Sequence, residues 1–173
     1  MDIKLLTYNI CWECSEGKKS KSIDGTTCLK NKKNICLKNI INLILDNQKK
    51  YNLDFILLKK QKNFDKYLKS LKNYTFHKSN SSSDKIITFW NKEKWICKGK
   101  HNSEFGLGRS FHLLFLKNKF TREIIILCNV HPGHNKEDDI TNFKKIMKSL
   151  SFSSEEKKML KNNLIILSGD YNN

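Results

Sequence analysis

Groups able to bind a metal ion or a phosphate follow a short apolar run at residues 164–167 (LIIL). The next residues, 168–173 (SGDYNN), place the carboxylate of Asp170 and the carboxamide of Asn172 just after two turn residues. Such oxygens are good ligands for hard cations, and loops at strand ends commonly carry chemistry. A strand followed by Gly-Asp is also common at ordinary β-turns, so this stretch alone leaves a capped strand and a chemical site both open.

A second apolar run ends in titratable groups in the same way. Residues 124–130 (IIILCNV) are followed by HPGH, which supplies His131 and His134. Two strands that each end in polar, titratable side chains are typical of loops that converge on one site. The two runs together therefore favour a shared chemical site.

The rest of the chain predicts strands and helices that position these runs. Periodicity and composition predict strands at residues 3–10, 54–58 and 74–78, hairpins of 85–90 with 95–98 and of 111–117 with 122–130, and a fully buried strand at 164–167. Helical spacing of apolar residues predicts helices over 37–50, 64–71, 140–150 and 154–161, and residues 11–34 read as a long loop. This order favours an α/β fold, with either one mixed sheet or two stacked sheets with helices outside.

Length and composition predict a single domain over residues 1–173. The hydrophobic content of 38% is enough for a core at this length. No apolar run approaches the roughly 20 residues of a membrane span, and the N-terminus lacks a signal-peptide pattern. We therefore expect a soluble, monomeric, intracellular protein of the cytoplasm or nucleus.

The formal net charge of +16 leaves two interpretations open. Lysine-rich surfaces attract nucleic acid because they release counterions from its phosphate backbone. The basic residues, however, are 31 Lys and only 2 Arg, in a chain also rich in Asn and Ile. A drift toward AT-rich coding in the genome produces the same excess without selection for nucleic-acid binding.

The six cysteines lie at positions 11, 14, 28, 36, 97 and 128. In an intracellular protein their thiols are expected to stay reduced. Cys11 and Cys14 have the spacing of a zinc knuckle, but no second close pair accompanies them. Reduced thiols that bind no metal are therefore favoured over a structural zinc site.

Five short motifs together resemble the endonuclease/exonuclease/phosphatase superfamily, in its deoxyribonuclease-type domain. In chain order they are TYN at 7–9, DFILL at 54–58, GRSF at 108–111, NVHPGH at 129–134 and SGDYNN at 168–173. The resemblance implies a four-layer α/β sandwich, in which two packed mixed β-sheets are flanked by helices. It also implies a site at one edge of the sandwich and divalent-metal-dependent hydrolysis of a phosphate ester, with nucleic acid among the candidate substrates.

The resemblance also assigns roles to individual residues. Asp170 is implied to orient or deprotonate the attacking water, and Asn172 to donate to the phosphoryl oxygens. His131 is implied to lie near the phosphate, and Asn9 beside the metal together with Asp170. The further candidates for phosphate contacts are Arg109, Asn129 and His134. Asn9, His131 and Asp170 are accordingly expected to cluster at one end of the sandwich.

Two departures from the family pattern put activity in doubt. Lys59 and Lys60 stand where the family has a Gln-Glu pair, so Lys60 replaces the glutamate that binds the metal. A charged lysine has no lone pair to offer and repels a cation, which predicts weak or lost binding of Mg²⁺ or Mn²⁺. Glu13 is a weak substitute ligand. The sequence also ends before the family's C-terminal Asp-His motif, which predicts an incomplete sandwich with an unpaired strand edge.

The sequence therefore leaves three hypotheses about function open. The first hypothesis is a metal-dependent phosphoesterase in which Asp170 orients a water for in-line attack. The alternative is an inactive, degenerate copy that binds nucleic acid or a phosphate ligand through its lysines, and a third is a product without function. The enzyme requires a divalent cation, whereas the binding module requires only low salt.

Overall fold

The computed structural model describes residues 2–9, 35–59, 70–80, 85–105, 109–131 and 136–169. Within these ranges the strands are β1 (Leu5–Asn9), β2 (Phe55–Lys59), β3 (Tyr74–Lys78), β4 (Ile87–Asn91), β5 (Trp95–Phe105), β6 (Arg109–Asn118), β7 (Ile124–Val130) and β8 (Leu164–Gly169). The helices are α1 (Ile35–Tyr51), α2 (Lys136–Ser149) and α3 (Ser154–Asn162). The predicted loop at 11–34 and most of the helix predicted at 64–71 lie outside the described residues.

The described strands form two mixed sheets of four strands each. The first has the order β1-β2-β4-β3, in which β1 and β2 are parallel and the other pairs antiparallel. The second has the order β5-β6-β7-β8, in which only β7 and β8 are parallel. Each sheet therefore contains one parallel pair, whose two C-terminal ends lie at the same sheet edge.

Three apolar clusters show how these elements are layered. Ile40 and Ile44 of α1 pack with Ile56, Leu58 and other residues of the first sheet. The helices α2 and α3 cover the outer face of the second sheet, where α3 contributes Met159. Between the sheets lies a third cluster, formed by Phe55, Leu57, Trp90, Trp95, Leu114, Leu116, Ile125 and Leu127. The order of layers is helix, sheet, sheet, helix, which confirms the predicted four-layer sandwich.

The helices near the second sheet follow the sequence pattern closely. Phe143, Met147 and Leu150 of the predicted stripe pack on the sheet. Ser153 caps α3, because its hydroxyl accepts from Glu156 N while the Glu156 carboxylate accepts from Ser153 N. These local signals are strong enough to set both helices. In the described part of the chain, no helix has the length and apolar character needed to cross a membrane.

The hairpin predicted for residues 85–90 and 95–98 is wrong. The two segments flank the expected turn, but β4 lies in the first sheet and β5 in the second. Both edges of β4 are already occupied by β2 and β3, so β5 has no free edge to pair with there. Instead β5 pairs with β6 and places Trp95 between the sheets. The turn at residues 92–94 therefore joins the two sheets.

The prediction of a fully buried terminal strand is also wrong for the described chain. The strand β8 is an edge strand, and Leu164, Ile165 and Leu167 are 54%, 47% and 46% exposed. An apolar run of four residues indicates a strand, but it does not reveal how many neighbours the strand has. The family pattern predicted an unpaired strand edge. Among the described residues, β8 has a neighbouring strand on one side only, as that prediction requires.

Candidate functional site

The C-terminal ends of four strands meet at one end of the sandwich. Asn9 of β1 pairs with Lys59 of β2, and Val130 of β7 pairs with Gly169 of β8. The hydroxyl of Ser168 donates to Thr7 Oγ1 at 3.0 Å, which joins the end of β8 to the end of β1 across the two sheets. We call this region the strand-end site.

The space between the sheets changes character along the strands toward this end. Residues from the middle of the strands are apolar and pack around Phe55 and Trp95, whose rings lie 4.9 Å apart. Closer to the strand-end site, the positions facing between the sheets carry polar side chains. The fully or nearly fully buried ones are Lys59, Thr88, Ser110, His112, Asn129, His131 and Ser168. Buried polar groups of this number require partners, and most of them bond to one another.

Lys59 is one of the largest fully buried side chains, with 1% of its surface exposed. Its ammonium donates to Thr7 Oγ1 at 2.5 Å, the same oxygen that accepts from Ser168. Taking an ammonium out of water is costly unless hydrogen bonds replace its hydration. The hydroxyls of Thr7 and Ser168, at the ends of β1 and β8, form what we call the hydroxyl layer. Within this layer Thr7 supplies one of the hydrogen bonds that replace the hydration of Lys59.

A second group links the sheets through Thr88 of β4. Its hydroxyl hydrogen-bonds His112 Nε2 at 2.6 Å and accepts from Asn129 Nδ2 at 3.1 Å. Asn129 Nδ2 also donates to the Ile87 carbonyl at 3.3 Å, which fixes the orientation of the amide. Among the described residues, His112 Nδ1 and Asn129 Oδ1 have no hydrogen-bond partner. Two unsatisfied atoms in one buried cluster are unusual away from functional sites.

The electrostatics of this cluster keep His112 neutral. Burial lowers the pKa of His112 well below its ordinary value, and the nearby His77 and Lys59 lower it further. The rings of His77 and His112 are 5.2 Å apart, and His77 Nε2 donates to Asn102 Oδ1 at 2.9 Å. Burial also lowers the pKa of His77. Both histidines therefore favour the neutral imidazole at neutral pH.

His131 and Arg109 lie together where β7 ends and β6 begins. Arg109 Nη1 is 3.4 Å from both ring nitrogens of His131, and the imidazole is fully buried. His131 N donates to the Ser110 carbonyl at 3.0 Å, and the Ser110 hydroxyl donates to Ser79 Oγ at 3.0 Å. These bonds hold the His131 backbone on β6 and tie β6 to the first sheet.

The structure thus places four of the predicted site residues in one region. Asn9, Arg109, Asn129 and His131 all lie at the strand ends, with Asn9 exposed and Asn129 deeply buried. The other predicted residues lie outside the described part of the chain; they are Lys60, His134, Asp170 and Asn172. Their roles, and the clustering of Asp170 with Asn9 and His131, stay predictions.

The side chains described at this end do not fit a divalent metal. Within the described ranges, no three His, Cys, Asp or Glu side chains are grouped so that they could hold a metal ion. The strand ends offer the amide of Asn9 and the hydroxyls of Thr7 and Ser168, with the Lys59 ammonium bonded to Thr7. A fixed ammonium opposes a dication at short range.

The buried part of this region was not predicted from the sequence. His112 interrupts the apolar strand residues 111–116 (FHLLFL), and Thr88 interrupts residues 86–90 (IITFW). A polar residue within an otherwise apolar strand was the available signal, since such a residue must find a partner when buried. That Thr88 and His112 find each other depends on the packing of the sheets.

Comparison with known proteins gives similarity at the level of structure. No family model matches the sequence, and no curated protein matches it. An endonuclease/exonuclease/phosphatase from Bacteroides vulgatus superimposes with a TM-score of 0.72 at 14% identity, over 100% of this chain and 67% of its own. D. rerio TDP2 complexed with a single-strand DNA product gives a TM-score of 0.68 at 11% identity, over 99% of this chain and 61% of its own.

A third similar structure is a mannosyl-6-phosphatase from Bacteroides thetaiotaomicron, with a TM-score of 0.65 at 15% identity. The match covers 99% of this chain and 66% of the phosphatase. This chain therefore spans about two thirds of the length of the structures it resembles, which is consistent with an incomplete sandwich. Together with the two mixed sheets between helices, these matches show that the chain has the fold of the endonuclease/exonuclease/phosphatase superfamily.

Proposed function

We propose that this chain binds a phosphate ester at the strand-end site and hydrolyses it. The observation that carries the proposal is the contact of Arg109 with the buried His131 at the end of β7, at the same end of the sandwich as the buried Lys59. Guanidinium and imidazole N–H groups are suitable donors for phosphoryl oxygens. Phosphoryl transfer depends mainly on positioning and charge neutralisation, which such a site supplies.

In the proposed reaction a water oxygen attacks phosphorus, the ester P–O bond breaks, and the leaving oxygen takes up a proton. Asp170 orients the water, while His131 and Asn172 donate to the phosphoryl oxygens. Arg109 and His134 are the proposed contacts around the phosphate, and Asn9 completes the site from β1, whereas Asn129, whose amide N–H groups bond to Ile87 and Thr88, belongs to the buried cluster. We further propose that residues 1–173 form one monomeric domain that corresponds to the N-terminal two thirds of the fold.

The class of substrate is proposed from the similar structures. One of them holds a single-strand DNA product and another is named a mannosyl-6-phosphatase. A phosphodiester of nucleic acid and a phosphomonoester are therefore the two classes to test. The net charge of +16 favours the polyanionic substrate of the two.

The activity is tested with bis(p-nitrophenyl) phosphate and p-nitrophenyl phosphate, in the presence of Mg²⁺, Mn²⁺ or EDTA. We expect His131→Gln to lower the rate at least 100-fold, the usual loss when one group that stabilises the transition state is removed. The matched control is His101→Gln, because His101 bonds to Glu156 on the outer face of the second sheet. No turnover of either ester by the wild-type chain would exclude hydrolysis, and equal losses in both variants would exclude a special role for His131.

Dependence on a divalent metal is a separate prediction, which concerns Lys60. If Lys60 stands at the metal position, Lys60→Glu raises the affinity for Mg²⁺ or Mn²⁺, because a repelling charge becomes a ligand. The matched control is Lys62→Glu, a nearby substitution with the same change in charge. Calorimetric titration of both variants in one buffer decides the matter, since equal gains would mean that only the net charge has changed.

The second candidate function is binding without catalysis. Burial of Lys59 at the strand ends favours it, because the described groups there do not fit a divalent metal. An inactive copy would bind nucleic acid electrostatically. The logarithm of its association constant would then fall linearly with the logarithm of the salt concentration. Salt-dependent binding to a single-stranded oligonucleotide, combined with no turnover of either ester, would favour this alternative.

A further inference from the structure

The helices α2 and α3 carry the same five-residue pattern. Residues 144–148 are KKIMK and residues 157–161 are KKMLK, so each helix has two lysines, two apolar residues and a third lysine. At 3.6 residues per turn the three lysines fall within an arc of about 100°, away from the two apolar residues. The apolar pairs pack on the outer face of the second sheet, and all six lysines are exposed. We call these six residues the lysine face; they are Lys144, Lys145, Lys148, Lys157, Lys158 and Lys161.

Acidic side chains do not balance the lysine face. Among the described side chains of the two helices Glu155 is exposed, whereas Glu156 is largely covered and bonds to His101 and to Ser153 N. The acidic residues at 137–139 belong to the first turn of α2, and the lysines of that helix lie in its last two turns. None of the six lysines forms an ion pair with another described residue. The lysine face therefore has a strong excess of positive charge.

The helix α1, which packs on the first sheet, has a different surface. Its exposed side chains include the apolar Leu43 and Tyr51 and the acidic Asp46. None of the exposed large apolar side chains of the described residues belongs to α2 or α3. A concentrated and purely polar, cationic surface is therefore a property of α2 and α3 and not of α1.

The chemistry of the lysine face selects among polyanionic partners. Helices that bind membranes insert apolar or aromatic side chains, and proteins that bind single strands stack the bases on aromatic rings. Lysine instead offers a point charge to a phosphate and reads no sequence. Double-stranded nucleic acid carries one phosphate charge per about 1.7 Å of its axis, so its backbone is the partner that six clustered lysines fit best.

We infer that the lysine face binds the phosphate backbone of double-stranded nucleic acid, independently of sequence. Lysines that neutralise phosphates release the counterions of the duplex, which drives binding at low salt. The inference goes beyond the hydrolysis proposed above and does not depend on it, because the lysine face lies on the outer face of the second sheet and the strand-end site lies at the ends of the strands.

The test is fluorescence anisotropy with a labelled DNA duplex of about 20 base pairs, in EDTA and at about 50 to 200 mM NaCl. The triple variant Lys144→Gln, Lys145→Gln and Lys148→Gln should make the slope of log affinity against log salt shallower by about 2, because each lost phosphate contact removes about 0.9. Affinity at about 100 mM salt should fall at least tenfold. A single strand of the same length should bind the wild-type chain more weakly.

The matched control is the triple variant Lys38→Gln, Lys49→Gln and Lys72→Gln, which removes three exposed lysines on the side of the first sheet. Equal weakening in the two triple variants would overturn the inference, because only the net charge would then matter. Tighter binding of the single strand, or of phosphatidylserine vesicles, would also overturn it. So would a wild-type chain that does not bind the duplex at the lowest salt, which keeps the test decisive whatever the variants do. Because no turnover is measured, failure of ester hydrolysis leaves this inference standing.

Discussion

The two ends of strand β2 bury opposite charges in different ways. At its start Asp54, 5% exposed, accepts from Trp95 Nε1 and Lys94 Nζ through one oxygen and from Lys4 N through the other. At its end Lys59, 1% exposed, donates to the hydroxyl of the exposed residue Thr7, beside a cluster of buried hydroxyls, amides and imidazoles. The same strand thus carries a buried carboxylate at one end of the sandwich and a buried ammonium at the other.

The difference between these ends separates a structural role from a chemical one. Both oxygens of Asp54 have donors, and these donors tie β1 and β5 to β2. Near Lys59, two buried polar atoms, His112 Nδ1 and Asn129 Oδ1, have no partner among the described residues. A fully satisfied polar network stabilises a fold, whereas a partly satisfied one costs stability, and a functional role is one explanation for it. We therefore regard the Asp54 end as structural, and the function proposed above belongs to the Lys59 end.

The largest expected effect comes from breaking the structural end. Asp54→Ala leaves Trp95 Nε1 and Lys4 N without their acceptor. Because buried donors without a partner are costly, we expect the free energy of unfolding to fall by roughly 3 kcal/mol. Urea denaturation followed by tryptophan fluorescence measures this loss.

Asp46→Ala is the matched control, because Asp46 is an exposed carboxylate on α1. Substitutions at such surface positions usually change stability by about 0.5 kcal/mol or less. If Asp54→Ala were as mild as Asp46→Ala, the Asp54 end would not be the structural end described above.

The next effect concerns pH and the functional end. Burial lowers the pKa of His112 well below the ordinary 6.5, so the unfolded chain takes up a proton near pH 6.5 and the folded chain does not. Stability is therefore lost as the pH falls through 6.5, by about 2 kcal/mol at pH 5 for this one histidine. His77, whose pKa burial also lowers, adds to the loss in the same direction.

Urea denaturation between pH 5 and 7.5 tests this dependence. We expect His112→Gln to flatten the decline by more than one kcal/mol per pH unit, close to the limit of about 1.4 for one proton. His77→Gln should flatten it less, because its ring is only partly buried. A decline that is unchanged in His112→Gln would show that another group controls stability at acid pH.

The smallest expected effect sharpens the comparison within the hydroxyl layer. Ser168→Ala removes the bond to Thr7 Oγ1 but leaves the bond from Lys59 to the same oxygen. One hydrogen bond of this kind contributes about 1 kcal/mol to the free energy of unfolding. Chemical denaturation measures the loss, and a loss as large as that of Asp54→Ala would show that this end is equally structural.

Much of the fold was predictable because local signals determine it. Apolar spacing gave α2 and its packing face, and apolar runs gave β2, β7 and β8; the helix predicted over 154–161 is α3, whose start is explained by the capping box at Ser153. The hairpin of β6 and β7 was also predicted correctly, since its strands are joined by a short turn. The error between β4 and β5 arose because a turn residue pattern does not tell whether the strands it joins share a sheet.

The sequence by itself determined that Asn9 and His131 belong to strand ends, whereas Arg109 was named only from the family resemblance and begins β6. The tertiary structure decided which of these ends meet, and which side chains are buried between the sheets. Thr7 and Ser168 lie 161 positions apart in different sheets, so their contact exists only after the two sheets have packed, whereas the contact of Lys59 with Thr7 requires β1 and β2 to pair within the first sheet. The register then places Lys59 on the inner face, where the packing of the two sheets leaves it 1% exposed.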